Sequence, residues 1–334
     1  MLVGDLGEEA LVKELRGLFA AAQPDVPTGI GDDAAVINFP PGTQGVWTTD
    51  LLLEGVHFER DWQTPRQLGR KCLAVNLSDL ASMGATPRFA LFSIGCAPET
   101  RLDYFLELCR GFAALASREN VAVIGGNTTG STCGINVSVT AGGYVPRGGA
   151  ILRSGAQAGD AILVTGYLGS AAAGLRLLKQ DVAGRYPELI QAFLEPEARL
   201  IAGKAAFEAG ATAMTDVSDG LASDLRHICE ESRVGAMVDP GLFPVSARLK
   251  DAAAKFGWDV EDMVLTGGED YELLFTLPGE IAGQVKSVIS HAASLPVTII
   301  GEIMPVDYGI RLLEAAGGNR PMPAHGFDHF QKDA

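Results

Sequence analysis

Six short clusters of acid, glycine and hydroxyl residues interrupt the apolar pattern of this chain. They read Gly29-Ile30-Gly31-Asp32-Asp33, Thr48-Thr49-Asp50, Asn76-Leu77-Ser78-Asp79, Gly125-Gly126-Asn127-Thr128-Thr129, Asp216-Val217-Ser218-Asp219-Gly220 and Gly267-Gly268-Glu269-Asp270. Each ends an apolar run or lies inside an apolar helical pattern, where an unpaired carboxylate is destabilising. One such cluster reads as a turn. Six together point to one oxygen-rich site suited to hard cations such as magnesium.

Asp79 is the most telling position. The spacing predicts a helix over Thr64–Met83, with Thr64 as cap, Pro65 in the first turn and Gly84 as the stop. Leu68, Cys72, Val75 and Asp79 then share one otherwise apolar face. A carboxylate there must be paired, protonated or bound to metal, so a buried ion pair or a cap stands beside metal ligation.

With 334 residues the chain is too long for one small core, and two α/β domains are expected. It carries 41 acidic against 26 basic residues, a net charge of −15, which disfavours nucleic acid and anionic membranes as partners. An acidic protein that handles phosphates must bring cations with it. The five cysteines are scattered and form no CxxC pair, and Met1–Glu9 is acidic, without a secretory pattern. No run approaches the ~20 apolar residues of a membrane span. A cytoplasmic protein is expected.

Periodicity predicts a helix over Met1–Ala22 and short strands at Ala34–Ile37 and Gly45–Thr49. A strand at Arg88–Gly95, a helix at Leu102–Ser117 and strands at Val121–Ile124 and Ile135–Ala141 follow. Pro146-Arg147-Gly148-Gly149 is the candidate boundary, giving domains 1–146 and 147–334. Beyond it, strands are expected at Ala161–Thr165, Met214–Val217, Tyr271–Leu277, Val297–Ile300 and Tyr308–Glu314. Helices are expected at Gly169–Lys179, Glu197–Ala209, Leu221–Ser232 and Ile281–Ser290. Both halves mix the two element types, so the fold class is α/β (α+β) with two mixed domains.

The usual nucleotide fingerprints are missing: Gly169-Ser170-Ala171-Ala172-Ala173-Gly174 resembles a phosphate loop but lacks its lysine. No motif supplies an activated nucleophile, and the five histidines lack zinc spacing. Carboxylate clusters with glycine turns and no evident base suit phosphoryl transfer, which needs positioning and charge neutralisation more than covalent help.

The segments GIGDD, TTD followed by EGVHF, AVNLSDLASMGA, IGGNTT, LRSG, DVSDGL, GGEDYEL and GFDHF, in that order, resemble the thiamine-monophosphate kinases. These belong to a wider family with aminoimidazole ribonucleotide synthetase and selenophosphate synthetase. The resemblance spans Gly29 to Phe330 and implies ATP-dependent phosphorylation of thiamine monophosphate to the diphosphate. It also implies two α/β domains, N-terminal domains pairing in a homodimer, and ATP and magnesium between domains.

By this resemblance Asp33, Thr48, Thr49, Asp50, Asp79, Asn127, Asp216 and Asp219 hold magnesium, with Asp32 a neighbour, and Asp50, Asp79 and Asp219 are catalytic. Gly126, Asn127, Arg153 and Ser218 match ATP-contacting positions, and His57, Glu269, Asp270 and Phe327 match substrate positions. Other readings stay open: Thr48 and Thr49 as β-formers, Asp219 as an N-cap, Arg153 as a surface arginine and Gly267–Asp270 as a turn. Asp224, inside the expected helix, reads as solvated. Asn127 stands where many relatives carry aspartate. Another ATP-dependent member of the wider family, or a non-catalytic nucleotide- and metal-binding module, are the competing functions.

Overall fold

The computed structural model describes residues 1–19, 23–180, 182–324 and 326. The chain forms two compact units. One comprises Met1–Leu80 and Ala85–Gly149; the other comprises Ala81–Gly84 and the chain from Ala150 onward.

The first unit is built from α1 (Val3–Leu6), α2 (Glu8–Leu18), β1 (Thr43–Leu53), α3 (Pro65–Ser82), β2 (Thr86–Cys96), α4 (Leu102–Arg118), β3 (Ala122–Gly130) and β4 (Asn136–Pro146). Its four strands lie in the order β1-β4-β2-β3, with β2 and β3 parallel and the other pairs antiparallel. The single N-terminal helix expected over Met1–Ala22 is instead two, because Gly7 between them takes a φ of 77°. No strand forms at Ala34–Ile37. That segment makes only an isolated bridge, Thr28 to Val36, and packs Val26, Ala35 and Ile37 against buried Phe89.

Helix α3 follows from its punctuation. The Thr64 hydroxyl accepts the Gln67 N–H at 3.3 Å while Gln67 Oε1 accepts the Thr64 N–H at 3.0 Å, a reciprocal cap. Gly84, with a φ of 67°, supplies the stop. Its contact with α4 depends on two glycines. A Cβ on Gly69 would stand 1.8 Å from the Leu108 carbonyl oxygen, and one on Gly111 2.0 Å from that of Arg66.

Alternation along β1 puts Val46, Thr48, Asp50 and Leu52 on the helix-covered face and leaves Trp47 and Leu51 exposed on the other. On the covered face Phe92 of β2 meets Phe112 of α4 and Phe19, at ring-centroid distances of 4.6 Å and 5.7 Å. Strand β3 runs on through Gly125–Gly130, so the Gly125–Thr129 cluster lies within a strand and not in a turn at its end.

The second unit adds α5 (Ser170–Lys179), α6 (Pro187–Leu194), α7 (Leu200–Glu208), α8 (Leu221–Ser232), α9 (Ala247–Phe256), α10 (Val260–Thr266) and α11 (Gly279–Ala293). Its strands are β5 (Asp160–Thr165), β6 (Ala213–Val217), β7 (Gly235–Val238), β8 (Glu272–Pro278), β9 (Val297–Met304), β10 (Ile310–Leu313) and β11 (Asn319–Pro321). They form one sheet in the order β11-β10-β7-β9-β5-β8-β6, antiparallel except for β10 with β7. Leu221, Leu225 and Ile228 of α8 pack on Ile162, Val164 and Leu274. On the other face Ala202, Ala206, Ala282 and Ile289 of α7 and α11 pack on Leu163, Leu273 and Phe275. Helices on both faces explain why β5 is buried along its whole length. Among the described residues no helix is long and apolar enough to cross a membrane.

The α3–α4 contact yields a stability prediction. Gly111→Ala should lower the stability of the first unit by about 1–3 kcal/mol, because a methyl group there must push two helix backbones apart. Urea unfolding followed by tryptophan fluorescence reads the loss; unchanged stability would mean that the contact relaxes freely.

Candidate functional site

Strand β1 and helix α3 bring the first acidic group together. Thr48 and Asp50, two residues apart, project from the same face of β1. The Thr48 hydroxyl donates to the Asp79 carboxylate from α3. Burial pushes the Asp50 carboxyl up to about 6, and the neighbouring Asp79 charge pushes in the same direction. Thr49 points the other way, its hydroxyl donating to the Val139 carbonyl at 3.0 Å and lying 3.1 Å from the Thr140 hydroxyl.

The remaining expected members of the first unit lie on the loop before β1 and on β3. Asp32 and Asp33 are exposed on the loop before β1, where the Asp32 carboxylate accepts the Asp33 N–H at 2.9 Å. Asn127 is set apart from Asp50 by the sheet. Strand pairing places Asn127, Ser93, Ser138 and Leu51 in one row and Gly126, Phe92, Val139 and Asp50 in the next. Adjacent rows face opposite ways. Asn127 accordingly lines an open groove of ≈ 380 Å³ with Leu51, Ser93 and Ser138, on the face away from Asp50. The register thus places Asn127 on the opposite face from Asp50.

His57 follows β1 in a tight turn. Its Nδ1 accepts the Leu53 N–H at 3.1 Å while the His57 backbone N–H donates to the Leu53 carbonyl at 2.9 Å. The ring proton then resides on Nε2. Phe58, 1% exposed, anchors the turn, and Glu54 ties it to Ile135 N–H at 2.7 Å and to Arg60 at 2.8 Å.

In the second unit, antiparallel pairing of β6 with β8 sets Val217 opposite Glu272 and so brings two clusters side by side. The Ser218 carbonyl accepts the Glu269 N–H at 2.7 Å, and the Val217 carbonyl accepts the Tyr271 N–H at 2.9 Å. Gly268 is required by this approach, since a Cβ there would stand 2.3 Å from the Ser218 oxygen. Glu269 and Tyr271 hold φ values of 67° and 49°, left-handed conformations that non-glycine residues adopt at a cost.

Asp216 is 3% exposed at the end of β6, with Asp219 three residues on. Asp224 joins them, which the sequence reading missed: it is 1% exposed and not solvated. Its carboxylate accepts the N–H groups of Ser218 and Asp219 at 3.1 Å each. Burial pushes Asp224 up to about 8, the Asp216 and Asp219 charges add to this, and the Asp219 N–H and Arg153 pull it back. Arg153 thus stands near the acidic turn. The signal in the sequence was an acid in the first turn of a helix directly after two others.

Asp270, expected at substrate, is occupied otherwise. Its carboxylate accepts the N–H groups of Gly169 at 2.6 Å and Ala171 at 3.1 Å, at the start of α5. Burial pushes it up to about 7 against the pull of these amides. Glu272, beside it, pairs with Arg199 at 2.6 Å and accepts from Thr165. Phe327 lies outside the described residues.

Magnesium fits these donors. All are hard oxygens, and carboxylates that repel one another in both units are what a divalent cation relieves. Among the described residues no three acid, histidine or cysteine groups converge on one point. A cation bound at the pair Asp50 and Asp79, or at Asp216 and Asp219, would thus keep positions for water and phosphate oxygens, as magnesium does.

Two mixed α/β units carrying these acidic turns define the class. The profile of the AIR synthase related protein N-terminal domain matches residues 31–145, and that of the C-terminal domain matches residues 157–312. Thiamine-monophosphate kinase of Salmonella typhimurium is 36% identical over 337 residues, 97% of this chain and 98% of that protein. Among solved structures, thiamine-monophosphate kinase from Stenotrophomonas maltophilia superposes with a TM-score of 0.81 at 38% identity, covering 90% of this chain and 95% of that one. AaThiL, complexed with AMPPCP and TMP, superposes with a TM-score of 0.74 at 32% identity, covering 93% and 95%. The chain belongs to the thiamine-monophosphate kinase family.

The repulsion at Asp50 has a measurable sign. The folded protein holds that proton to about pH 6, above the usual aspartate value of 3.8, so stability is lost as pH rises through this window. Asparagine does not titrate. In metal-free protein Asp50→Asn should therefore be more stable than the parent at pH 7.5, by about 1–2 kcal/mol after allowance for partial exposure. Thermal unfolding in chelator from pH 4 to 8 should show the gap open between pH 4 and 6 and then level off. A gap that widens on acidification would refute the assignment.

Proposed function

We infer that the protein transfers the γ-phosphoryl group of ATP to thiamine monophosphate, giving thiamine diphosphate. The observation that carries this reading is the crowding of carboxylates at Thr48–Asp50–Asp79 and Asp216–Asp219, in a chain of this family.

The acceptor needs no general base. A phosphate monoester with a second pKa of about 6 is mostly dianionic at neutral pH and can attack in line. The residues agree with such a mechanism: His57 Nδ1 accepts the Leu53 N–H, so this nitrogen is not placed to take a proton from substrate. Asp50 and Asp79 with Thr48 in the first unit, and Asp216 and Asp219 in the second, would hold magnesium, which would supply charge neutralisation for the phosphates. Arg153 of the second unit binds ATP phosphate through its guanidinium, and Ser218 of the same unit is a further ATP contact. The Glu269 carboxylate favours the cationic thiazolium ring, and its left-handed backbone fixes the direction in which it is offered.

The same reading makes the protein a homodimer paired through its N-terminal unit. The exposed Trp47 and Leu51 on the uncovered face of β1 support it. Leu51→Glu should shift the sedimentation profile toward monomer, and an unchanged profile would move the interface elsewhere.

Turnover is the direct test. ADP release should be fast with thiamine monophosphate and at least about a hundredfold slower with thiamine, whose alcohol requires deprotonation by a base. Asp79→Asn should lose activity while remaining folded. Comparable rates with both acceptors would point to an overlooked base, and no turnover with either would refute the assigned reaction.

A further inference from the structure

The turn that carries Asp216 and Asp219 is held peptide by peptide. Asp224 Oδ2 accepts both the Ser218 and the Asp219 N–H. From the other side Tyr271 and Glu269 donate their N–H groups to the carbonyls of Val217 and Ser218. The Ser218 peptide units are therefore fixed on the donor side by Asp224 and on the acceptor side by the loop that presents Glu269. Asp224 sits in the first turn of α8, almost wholly out of solvent, and one of its oxygens serves both amides. Its other oxygen stands 3.9 Å from His227 Nδ1.

A carboxylate placed so acts on its neighbours through the backbone. We propose that Asp224 is a positioning residue: its buried carboxylate is the template on which the Ser218–Asp219 turn is folded. Through the shared Ser218 peptide it also holds Glu269 in register with that turn. The inference rests on the reading above that Asp216 and Asp219 hold magnesium and that Glu269 faces the substrate. It goes further in linking the two through one side chain that needs to touch neither. Loss of the template should accordingly weaken cation and acceptor binding together, although the acids that bind them are intact.

Two full-length variants separate a template from a ligand. Asp224→Asn keeps a carbonyl oxygen where Oδ2 now accepts both amides, and can turn its amide toward His227 Nδ1. Asp224→Ala keeps neither. Amide hydrogen exchange at Ser218 and Asp219, measured without metal or substrate, should accelerate about tenfold or more in Asp224→Ala and stay within about threefold of the parent in Asp224→Asn. Calorimetric titration with magnesium chloride should show half-saturation raised about tenfold in Asp224→Ala and little changed in Asp224→Asn. The KM for thiamine monophosphate should rise in the same variant.

If Asp224→Asn loses magnesium binding while its amide exchange stays normal, the carboxylate is a ligand and the template role is overturned. Parent-like exchange in Asp224→Ala overturns it as well. Should Asp224→Ala fail to fold, a parent-like magnesium titration of Asp224→Asn supports the proposal and a lost one refutes it. Asp216→Asn serves as the control for the underlying reading. If it leaves magnesium binding intact, the metal assignment fails, while the exchange experiment still decides what Asp224 does.

Discussion

Like-charged carboxylates held out of bulk water repel, and both units of this protein are organised around tolerating that repulsion. Asp50 and Asp79 are brought near each other from a strand and a helix. What keeps them close is the apolar packing around them: Phe92 against Phe112, and α3 against α4 at the two glycines. In the second unit Asp216, Asp219 and Asp224 lie around one turn at the end of β6, whose backbone is held by hydrogen bonds to Asp224 and to the Glu269 loop. The cores thus hold an unfavourable electrostatic arrangement that a retained proton or a bound cation relieves, and such perturbed carboxylates are typical of functional sites.

Much of this was legible in the residues. Helix α3 has a cap, an initial proline and a terminal glycine, and its boundaries follow. Helix α8 occupies the predicted Leu221–Ser232 because its apolar face repeats cleanly after Gly220. Less legible were α6, α9, α10 and the short strands β7 and β11, whose stability comes from contacts distant in sequence, such as Leu189, Leu249 and Met263 in one cluster. Gly7 reads as one weak helical residue among many, and only its dihedral angle reveals the break.

Side-chain direction was the harder matter. The row to which Asn127 belongs depends on a bulge between Ala90 and Leu91, which shifts the pairing of β2 with β3. No local pattern announces that shift. Asp224 shows the converse difficulty: an acid in the first turn of a helix is ordinary on a surface, where the helix dipole favours it. Helix α8 is buried in a core that includes Val264 and Leu265 of α10, which is information carried by a segment distant in sequence.

The start of α5 carries one further consequence. A glycine-serine turn opening a helix exposes backbone amides that ordinarily seat an anion, and Gly169–Gly174 has that outline. In this fold the seat is taken from within, because the Asp270 carboxylate already lies on the Gly169 and Ala171 amides. The protein has filled its most familiar-looking phosphate cradle with one of its own side chains. A nucleotide arriving at this surface meets a closed door there, and the anion-binding capacity of the helix is spent on locking the neighbouring loop in place.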